Sequence, residues 1–373
     1  MNRILAGLAL LAISCAGCKP VDTHAAGGRF VPASDPALLY SGRWDRTKPA
    51  LPKASWPGFA VSTDFQGSAI QVRMTDSGNY FNVEVDGKFV RVIGGERGSH
   101  RTYLLADHLG EGVHRVRVQR RNINFKESTE IEGFVVDVDA RLSLPEKSKR
   151  KRIEFIGDSY TVAEGNEAVA ATLAWEAKYP VTNFAEGYAS LLGEAMDADV
   201  TAVCRSGSGL VCTWKGERKD PMGVRYSWTL MESAEPGWKF DEPSADLVVI
   251  SLGLNDFSGL KRTDGTVSPA DSKNFKEAYQ RLIAQVRRRH PKASIVALAP
   301  FTPWAREMIA SVVGAEKAAG KSGVFYAQFD NFPGGYVADG HPTVETHRKM
   351  AAQILDQLKL LGLASETGAL REP

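Results

Sequence analysis

The sequence predicts two domains of different class: an all-β sandwich of jelly-roll type over residues 28–146, then an α/β domain over residues 151–365. The first part alternates apolar and polar residues in short runs, as in AIQVRMTDSGNYFNVEVDGKFVRVI, with turn sequences at 76–79 and 86–87. Such alternation between tight turns is typical of antiparallel sheets. The second part alternates uniformly apolar runs with amphipathic stretches, which indicates a parallel sheet covered by helices on both faces.

Five apolar runs in the second part are predicted strands: RIEFIGD, DVTAVCRSG, ADLVVISLG, ASIVALAP and GVFYAQF. The clearest predicted helices cover 187–196, 272–289 and 344–361. In open parallel sheets, reactive groups collect beyond the carboxyl ends of the strands. Polar residues that directly follow these runs are therefore the candidates for a site.

The composition excludes some classes of partner. The chain has 373 residues, of which 43% are hydrophobic and 24% charged, as in soluble globular proteins. Its formal net charge of +2 is close to neutral, which argues against a nucleic acid as partner. The one strong basic run, at 147–152, lies between the two predicted domains, and we interpret it as a solvated linker.

The first 18 residues, MNRILAGLALLAISCAGC, are predicted to be a signal peptide. Arg3 precedes an apolar run over 4–16 that is short for a membrane span and ends in small residues. The segment resembles a bacterial lipoprotein signal, with Cys18 as the favoured lipidated residue and Cys15 as the second candidate. We expect export to the periplasm or cell envelope, or secretion, with membrane contact only through an anchor at Cys18. The other two cysteines, Cys204 and Cys212, form either one disulfide or two buried thiols.

The first strand of the α/β half runs into Gly157-Asp158-Ser159, which places a hydroxyl where a buried strand ends. One interpretation is a solvent-facing nucleophile, and the other is a serine that caps the next helix. A serine nucleophile needs a base, a group that orients the base, and donors for the oxyanion. The tripeptide alone therefore decides nothing.

Candidates for these companions follow the other strands. Gly207 follows the second strand, where its backbone N–H could serve the oxyanion and where a plain turn glycine is the alternative. Asn255 follows the third strand and could donate its amide, although a turn also uses Asn. His341 lies in a loop before the last helix as the candidate base, and Asp339 precedes it by two residues as the orienting carboxylate.

The ordered blocks around Ser159, Gly207, Asn255 and Asp339-Gly340-His341-Pro342 resemble those of the SGNH (GDSL-type) hydrolases. A jelly-roll domain before such a domain is similar to carbohydrate esterase family 2. The resemblance implies an SGNH fold and a Ser159–His341–Asp339 triad that acts through an acyl-enzyme. It implies an oxyanion hole formed by the amides of Ser159 and Gly207 and the side chain of Asn255. The implied substrate is an O-acetylated hemicellulose-type polysaccharide or oligosaccharide.

Two positions depart from this family pattern. Leu254 stands where Thr is frequent, a change that keeps the amide donor. Gly340 stands where many family 2 members have Trp, so an aromatic platform beside His341 is missing. Four further aromatic residues have two interpretations: they are either surfaces on which sugar rings stack or ordinary core aromatics. They are Trp214, Tyr226, Trp228 and Trp304.

No cofactor and no metal is implied, because the chain has neither a His-Glu-x-x-His motif nor, beyond the signal, paired cysteine clusters. Two other functions remain open. One is a different SGNH activity, such as a lipase, thioesterase or transacetylase. The other is a non-catalytic glycan-binding lipoprotein with a decayed hydrolase domain, against which the complete set of site residues argues.

Overall fold

The structure is a computed structural model that describes residues 28–126, 128–146, 148, 150–239 and 243–371. The predicted signal peptide and Cys18 lie outside these residues. Within the described part, no helix is both long enough and apolar enough to cross a membrane.

The first domain is all-β. Its strands are β1 (Arg29–Pro32), β2 (Leu39–Ser41), β3 (Lys53–Ala54), β4 (Ala60–Gln66), β5 (Ile70–Asp76), β6 (Tyr80–Val85), β7 (Lys88–Gly94), β8 (Ser99–Ala106), β9 (His114–Arg120), β10 (Thr129–Val136) and β11 (Arg141–Ser143). One antiparallel sheet has the order β1-β10-β5-β8, with β3 paired to β10. The other has the order β11-β4-β9-β6-β7, with β2 paired to β4.

Alternation along the strands builds the core between the two sheets. Along β5, the apolar residues Ile70, Val72 and Met74 are buried, while the residues between them are half-buried. The predicted turn at 86–87 joins the paired strands β6 and β7. The turn at 76–79 instead joins strands of different sheets, because buried Asp76 accepts the backbone N–H of Asn79 at 3.0 Å and turns the chain across the sandwich.

The second domain is α/β. Its strands are β12 (Lys151–Gly157), β13 (Ala198–Cys204), β14 (Trp228–Leu230), β15 (Ser233–Gly237), β16 (Leu247–Ser251), β17 (Ser294–Ala299), β18 (Val324–Gln328), β19 (Tyr336–Val337) and β20 (His341–Pro342). Its helices are α1 (Ser159–Val162), α2 (Tyr188–Ala195), α3 (Met222–Arg225), α4 (Leu254–Leu260), α5 (Pro269–Arg289), α6 (Pro303–Ala318) and α7 (Val344–Leu360). Short 3₁₀ helices cover Trp175–Lys178 and Phe184–Glu186.

Five of these strands form a parallel sheet in the order β13-β12-β16-β17-β18, and the pairs β14-β15 and β19-β20 are hairpins. The predicted fold class, an antiparallel β domain followed by a parallel α/β domain, is confirmed. Helix α5 begins three residues before its predicted start. Ser268 caps it by accepting the N–H of Asp271 at 3.0 Å, and Pro269 occupies its first turn.

The register of the parallel sheet brings three strand ends together. Gly157, the last residue of β12, lies opposite Cys204 of β13 and Ser251 of β16. The order of the strands also reverses direction around β12, which is the position where open α/β sheets bind ligands. The residues that follow these three strands therefore leave the sheet at one edge.

The two domains share a buried interface. Trp56 and Ile123 of the first domain belong to the apolar core of the second. The indole of Trp56 donates to the carbonyl of Thr229 at 2.9 Å, and Arg43 pairs with Glu154 at 3.3 Å. Because these side chains are buried, separating the domains would expose apolar surface and unpaired charges.

Candidate active site

Ser159 is the first residue of α1, directly beyond the end of β12. The helix cap is its neighbour Asp158, whose Oδ1 accepts the backbone N–H of Tyr160 at 3.0 Å. The structure thus assigns the capping role to Asp158 and leaves the hydroxyl of Ser159 without that role. The N-terminal end of this short helix lies at the carboxyl edge of the sheet.

Asn255 is held at the same edge. Its side-chain amide donates to Oδ2 of Asp158 at 3.2 Å and to the carbonyl of Ser208 at 3.1 Å. Asp158 is buried, and burial raises its pKa to about 7 against the opposing effect of the hydrogen bond from Tyr160. The structure therefore brings Asn255 next to the residue that precedes Ser159 and to the loop that contains Gly207.

Gly207 has φ +72°, a backbone conformation that favours glycine. A Cβ at this position would lie 3.0 Å from Cδ1 of Trp214, so this indole lies directly against the glycine. The backbone N–H of Trp214 also donates to the carbonyl of Gly207 at 3.0 Å. A side chain at residue 207 would have to displace the ring.

Asp256 supports this loop and was not singled out from the sequence. It is fully buried, and its carboxylate accepts the backbone N–H groups of Leu210 at 2.9 Å and Val211 at 2.8 Å, with Cys212 at 3.4 Å. The sequence feature that could have identified Asp256 is its position next to Asn255, at the start of α4. Its carboxylate lies so close to Gly209 that a Cβ there would be 2.5 Å away.

His341 lies in the β19–β20 hairpin, and its Nδ1 contacts the carbonyl oxygen of Ala338 at 2.6 Å. Asp339, which the sequence predicts to orient this imidazole, instead pairs with Lys178 through an Oδ2–Nζ distance of 2.9 Å. The difference follows from the turn, because Asp339 lies at its tip with φ +67° and a 41% exposed side chain. The Lys178 ammonium, through its hydrogen bond, is the main reason that the pKa of Asp339 is lowered.

The segment that follows Ser159 holds the His341 loop in place. The backbone N–H of Ala338 donates to Ala170 at 2.9 Å, and that of Asp339 donates to Ala171 at 2.7 Å. The hydroxyl of Tyr160, next to the nucleophile candidate, donates to the carbonyl of Gly340 at 3.0 Å. The chain thus joins the Ser159 and His341 elements through direct hydrogen bonds.

A buried carboxylate, that of Glu164, also lies beside the imidazole and was not predicted. Its Oε1 is 3.8 Å from Nε2 of His341 and accepts a hydrogen bond from Lys178 at 2.8 Å. Nothing in the family blocks marks this residue, which stands five positions after Ser159 in the loop beyond α1. Only the three-dimensional fold reveals its position next to His341.

Of the four aromatic residues considered as sugar-stacking surfaces, Trp214 alone is exposed, to 55%. Tyr226 and Trp228 are buried, and the hydroxyl of Tyr226 donates to Glu154 at 2.8 Å, so the stacking interpretation is wrong for these two. Trp304 is half-buried; its ring packs on Phe275 and its indole donates to Ser272. These three side chains stabilise the fold because packing and hydrogen bonds occupy them.

Cys204 and Cys212 are both free and buried, so of the two interpretations the structure shows separate thiols. Burial raises the pKa of the Cys212 thiol to about 12. Among the described residues, no group of three or more His, Cys, Asp or Glu side chains is arranged to hold a metal ion.

Comparisons with known proteins agree with this architecture. Residues 40–145 match the family described as "Carbohydrate esterase 2 N-terminal", and residues 155–349 match the "GDSL-like Lipase/Acylhydrolase family". A parallel sheet with Ser159, Gly207, Asn255 and His341 at its carboxyl edge, within such a match, defines a domain of the carboxylic ester hydrolase class. The chain belongs to the GDSL-like lipase/acylhydrolase family, and its relatives are family 2 carbohydrate esterases.

Two curated relatives and one solved structure illustrate the likeness. The chain is 31% identical to the "Cellulase/esterase CelE" of Acetivibrio thermocellus over 87% of its own length, and it spans 39% of that relative. It is 28% identical to an "Acetylxylan esterase / glucomannan deacetylase" of Cellvibrio japonicus, over 92% of this chain and 94% of the relative. A family two carbohydrate esterase from Clostridium thermocellum, solved in complex with cellohexaose, superposes with a TM-score of 0.78 at 30% identity, over 87% of this chain and 99% of that chain.

Proposed function

We propose that this chain removes O-acetyl groups from a carbohydrate of the hemicellulose type, with Ser159 as nucleophile and His341 as base. The observation that carries this proposal is the exposed indole of Trp214, which lies against Gly207 next to the candidate oxyanion site. An exposed aromatic face beside an ester-cleaving centre is suited to a sugar ring. The names of the relatives support the same class of substrate.

In the proposed reaction, Ser159 attacks the acetyl carbonyl while Nε2 of His341 takes the hydroxyl proton. The contact between Nδ1 and the carbonyl of Ala338 favours the tautomer with the proton on Nδ1, which leaves the lone pair of Nε2 free to accept. The tetrahedral intermediate collapses to an acetyl-enzyme as the bond from the acetyl carbon to the sugar oxygen breaks and the imidazolium protonates that oxygen, which leaves as a hydroxyl. Water, deprotonated by His341, then releases acetate.

The negative charge on the carbonyl oxygen is assigned to the backbone N–H groups of Ser159 and Gly207 and to the amide of Asn255. Asn255 must redirect one of its two resting hydrogen bonds to reach this oxygen. Removing one donor of this kind typically lowers the turnover rate by about 100- to 1000-fold. In this mechanism a backbone carbonyl, rather than the carboxylate of Asp339, orients the base.

We also propose that the protein is exported and anchored through a lipid on Cys18, as its N-terminal sequence predicts. Mass spectrometry of the mature N-terminus measures this, since a lipid-modified Cys18 is expected. A mature chain that begins at Met1, or well beyond Cys18, contradicts it.

The first test measures acetate release from acetylated xylan and acetylated glucomannan, beside p-nitrophenyl esters of increasing acyl length. We expect acetate release, a strong preference for acetyl over longer chains, and a loss of at least about 1000-fold in Ser159→Ala with an unchanged circular dichroism spectrum. Ser258→Ala on the exposed side of α4 is the matched control and should retain full activity. A preference for long acyl chains contradicts the carbohydrate substrate and favours a lipase.

The role of Trp214 as a stacking surface for the sugar is tested separately with Trp214→Ala and Trp214→Phe. We expect Trp214→Ala to raise KM for the acetylated glycan about fivefold, since loss of a stacking surface costs on the order of 1 kcal/mol, while kcat/KM for p-nitrophenyl acetate stays unchanged. Trp214→Phe should restore much of the loss. Equal losses on both substrates would show that Trp214 supports the Gly207 loop rather than the sugar.

A further inference from the structure

The buried carboxylate of Glu164 lies beside His341 and has no role in the proposed mechanism. The residue is 2% exposed, and its Oε2 has no hydrogen-bond partner within the described part of the chain. A buried carboxylate retained without full pairing is costly, so a positive charge nearby must stabilise it. Lys178, which donates to Oε1 at 2.8 Å, is the permanent charge in this position.

The other charge near Glu164 is transient. Nε2 of His341 lies 3.8 Å from Oε1, and this nitrogen gains a proton during each proposed turnover. At such a distance an anion favours the protonated imidazole. Asp339 is unable to do the same through Nδ1, because the carbonyl of Ala338 occupies that nitrogen.

Lys178 connects the two carboxylates. It is itself buried, and its ammonium contacts Oε1 of Glu164 at 2.8 Å and Oδ2 of Asp339 at 2.9 Å. Burial by itself lowers the pKa of this ammonium, but the two carboxylates together raise it above its ordinary value. Lys178 therefore stays charged, neutralises part of the Glu164 charge and ties down the loop that carries His341.

We propose that Glu164 and Lys178 form a charge pair that positions His341 and stabilises its protonated imidazole during turnover. Both are positioning residues, since they act on substrate only through the imidazole. The proposal rests on the proposed esterase function, in which His341 is the base. It assigns to Glu164 the electrostatic role that the sequence pattern assigns to Asp339.

Packing supports the same assignment. Gly165 follows Glu164 with φ +64°, and a Cβ on it would lie 2.5 Å from Cβ of Ala338. The loop that carries Glu164 thus rests directly on the residue whose carbonyl holds Nδ1. A movement of Glu164 would disturb both nitrogens of the imidazole.

Other charged or titratable groups also surround His341. Asp339 lies on its own loop, Tyr160 on α1 has its ring centroid 6.1 Å from the imidazole, and His347 lies on α7. Burial lowers the pKa of His347 to about 3, so it stays neutral in the range of the assay. Asp158 is different, because burial raises its pKa to about 7, so its own titration falls within the pH range of the activity profile. A direct measurement on His341 is therefore needed beside the activity profile.

The experiment is an NMR titration of ¹³C-labelled histidine in the full-length protein, with the His341 signal assigned by its loss in His341→Gln. Glu164→Gln keeps the shape and the acceptor for Lys178 but removes the charge. We expect the pKa of His341 to fall by about one unit and kcat to fall about tenfold with little change in KM. Glu345→Gln, a 66% exposed carboxylate four residues after His341, is the control and should leave both unchanged.

Variants of Lys178 provide a second test of the charge pair, which remains available if Glu164→Gln fails to fold. Lys178→Gln should raise the pKa of His341, the opposite direction, whereas Lys178→Arg should return it toward the wild-type value. An unchanged His341 titration in Glu164→Gln, or shifts of the same sign in both charge-removing variants, overturns the proposal. If the wild type releases no acetate but the opposed shifts occur, the proposed function fails while the charge pair stands.

Discussion

The loop that carries Gly207 and the loop that carries His341 meet at one edge of the sheet, yet they are held differently. One buried carboxylate, that of Asp256, gathers three consecutive backbone N–H groups of the first loop. The second loop is held at many points by the chain that follows Ser159, through backbone hydrogen bonds from Ala338 and Asp339 and through Lys178. Three backbone N–H groups of the first loop thus depend on one carboxylate, beside the contacts from Asn255 and Trp214, whereas the contacts of the second loop come from several separate residues.

This difference explains why the two aspartates next to the candidate site residues Asn255 and His341 are not equivalent. Asp256 follows Asn255 and is fully buried, so its removal leaves donors that water does not reach. Asp339 precedes His341 but is partly exposed, so solvent can replace its contact. Position in a motif therefore says less about a carboxylate than its burial does.

Among the changes that test this contrast between the loops, the largest combined effect on stability and activity should come from Asp256→Ala. Because three buried N–H groups lose their acceptor, we expect the free energy of unfolding to fall by at least about 3 kcal/mol, since each buried group left unpaired costs about 1–3 kcal/mol. Esterase activity should fall at least about 100-fold as the Gly207 loop loosens. Chemical denaturation and p-nitrophenyl acetate hydrolysis measure the two effects.

Asp356→Ala, at an exposed position of α7, is the matched control and should change neither quantity. Asp256→Asn should have stability and activity between those of Asp256→Ala and the wild type. It keeps one acceptor oxygen but turns an amide toward an N–H donor. If Asp256→Ala retains wild-type stability and activity, the Gly207 loop is held by other contacts and the contrast between the loops disappears.

The sequence was sufficient to predict the fold class, the strand ends that Ser159, Gly207 and Asn255 follow, and the place of His341 before the last helix, because apolar periodicity and block order are local properties. It was insufficient for the orientation of Asp339, since a carboxylate two residues from a histidine satisfies the pattern whether or not it faces the ring. Glu164 and Lys178 were missed for a related reason. Their role depends on how the loop beyond α1 folds back onto a hairpin 160 or more positions away, a long-range contact that no local spacing encodes.

A second, intermediate effect concerns how the stability of the protein depends on pH. His347 lies on the first turns of α7, next to the His341 loop, and is fully buried; its Nδ1 accepts the backbone N–H of Tyr188 at 3.3 Å. Burial lowers its pKa from 6.5 to about 3, so below pH 6.5 the unfolded chain takes up a proton that the folded protein does not. The folded state therefore loses stability as the pH falls from 6.5 toward 3, by about 2 kcal/mol at pH 5.

His347→Asn tests this, because Oδ1 of Asn can accept the same N–H without titrating. We expect the variant to show a flatter decline in stability than the wild type between pH 7 and pH 5 in urea denaturation. His108→Asn, at a side chain that is 91% exposed, is the control and should leave the pH slope as it is. Parallel slopes for the wild type and His347→Asn would contradict the neutral buried imidazole.

The smallest effect is expected for Asp339→Asn, and it decides how His341 is oriented. Asn tolerates the left-handed backbone at this position (φ +67°) and keeps an acceptor for Lys178. Because the carbonyl of Ala338 holds Nδ1, we expect kcat/KM for p-nitrophenyl acetate at pH 8 to fall by less than about tenfold. A carboxylate that held the imidazole itself would instead cost up to about 10⁴-fold on this change, through the wrong tautomer. His341→Ala in parallel sets the scale of full loss. If Asp339→Asn approaches that scale, the carboxylate must leave Lys178 and reach the imidazole during turnover, and the distributed support of this loop would be a property of the resting enzyme alone.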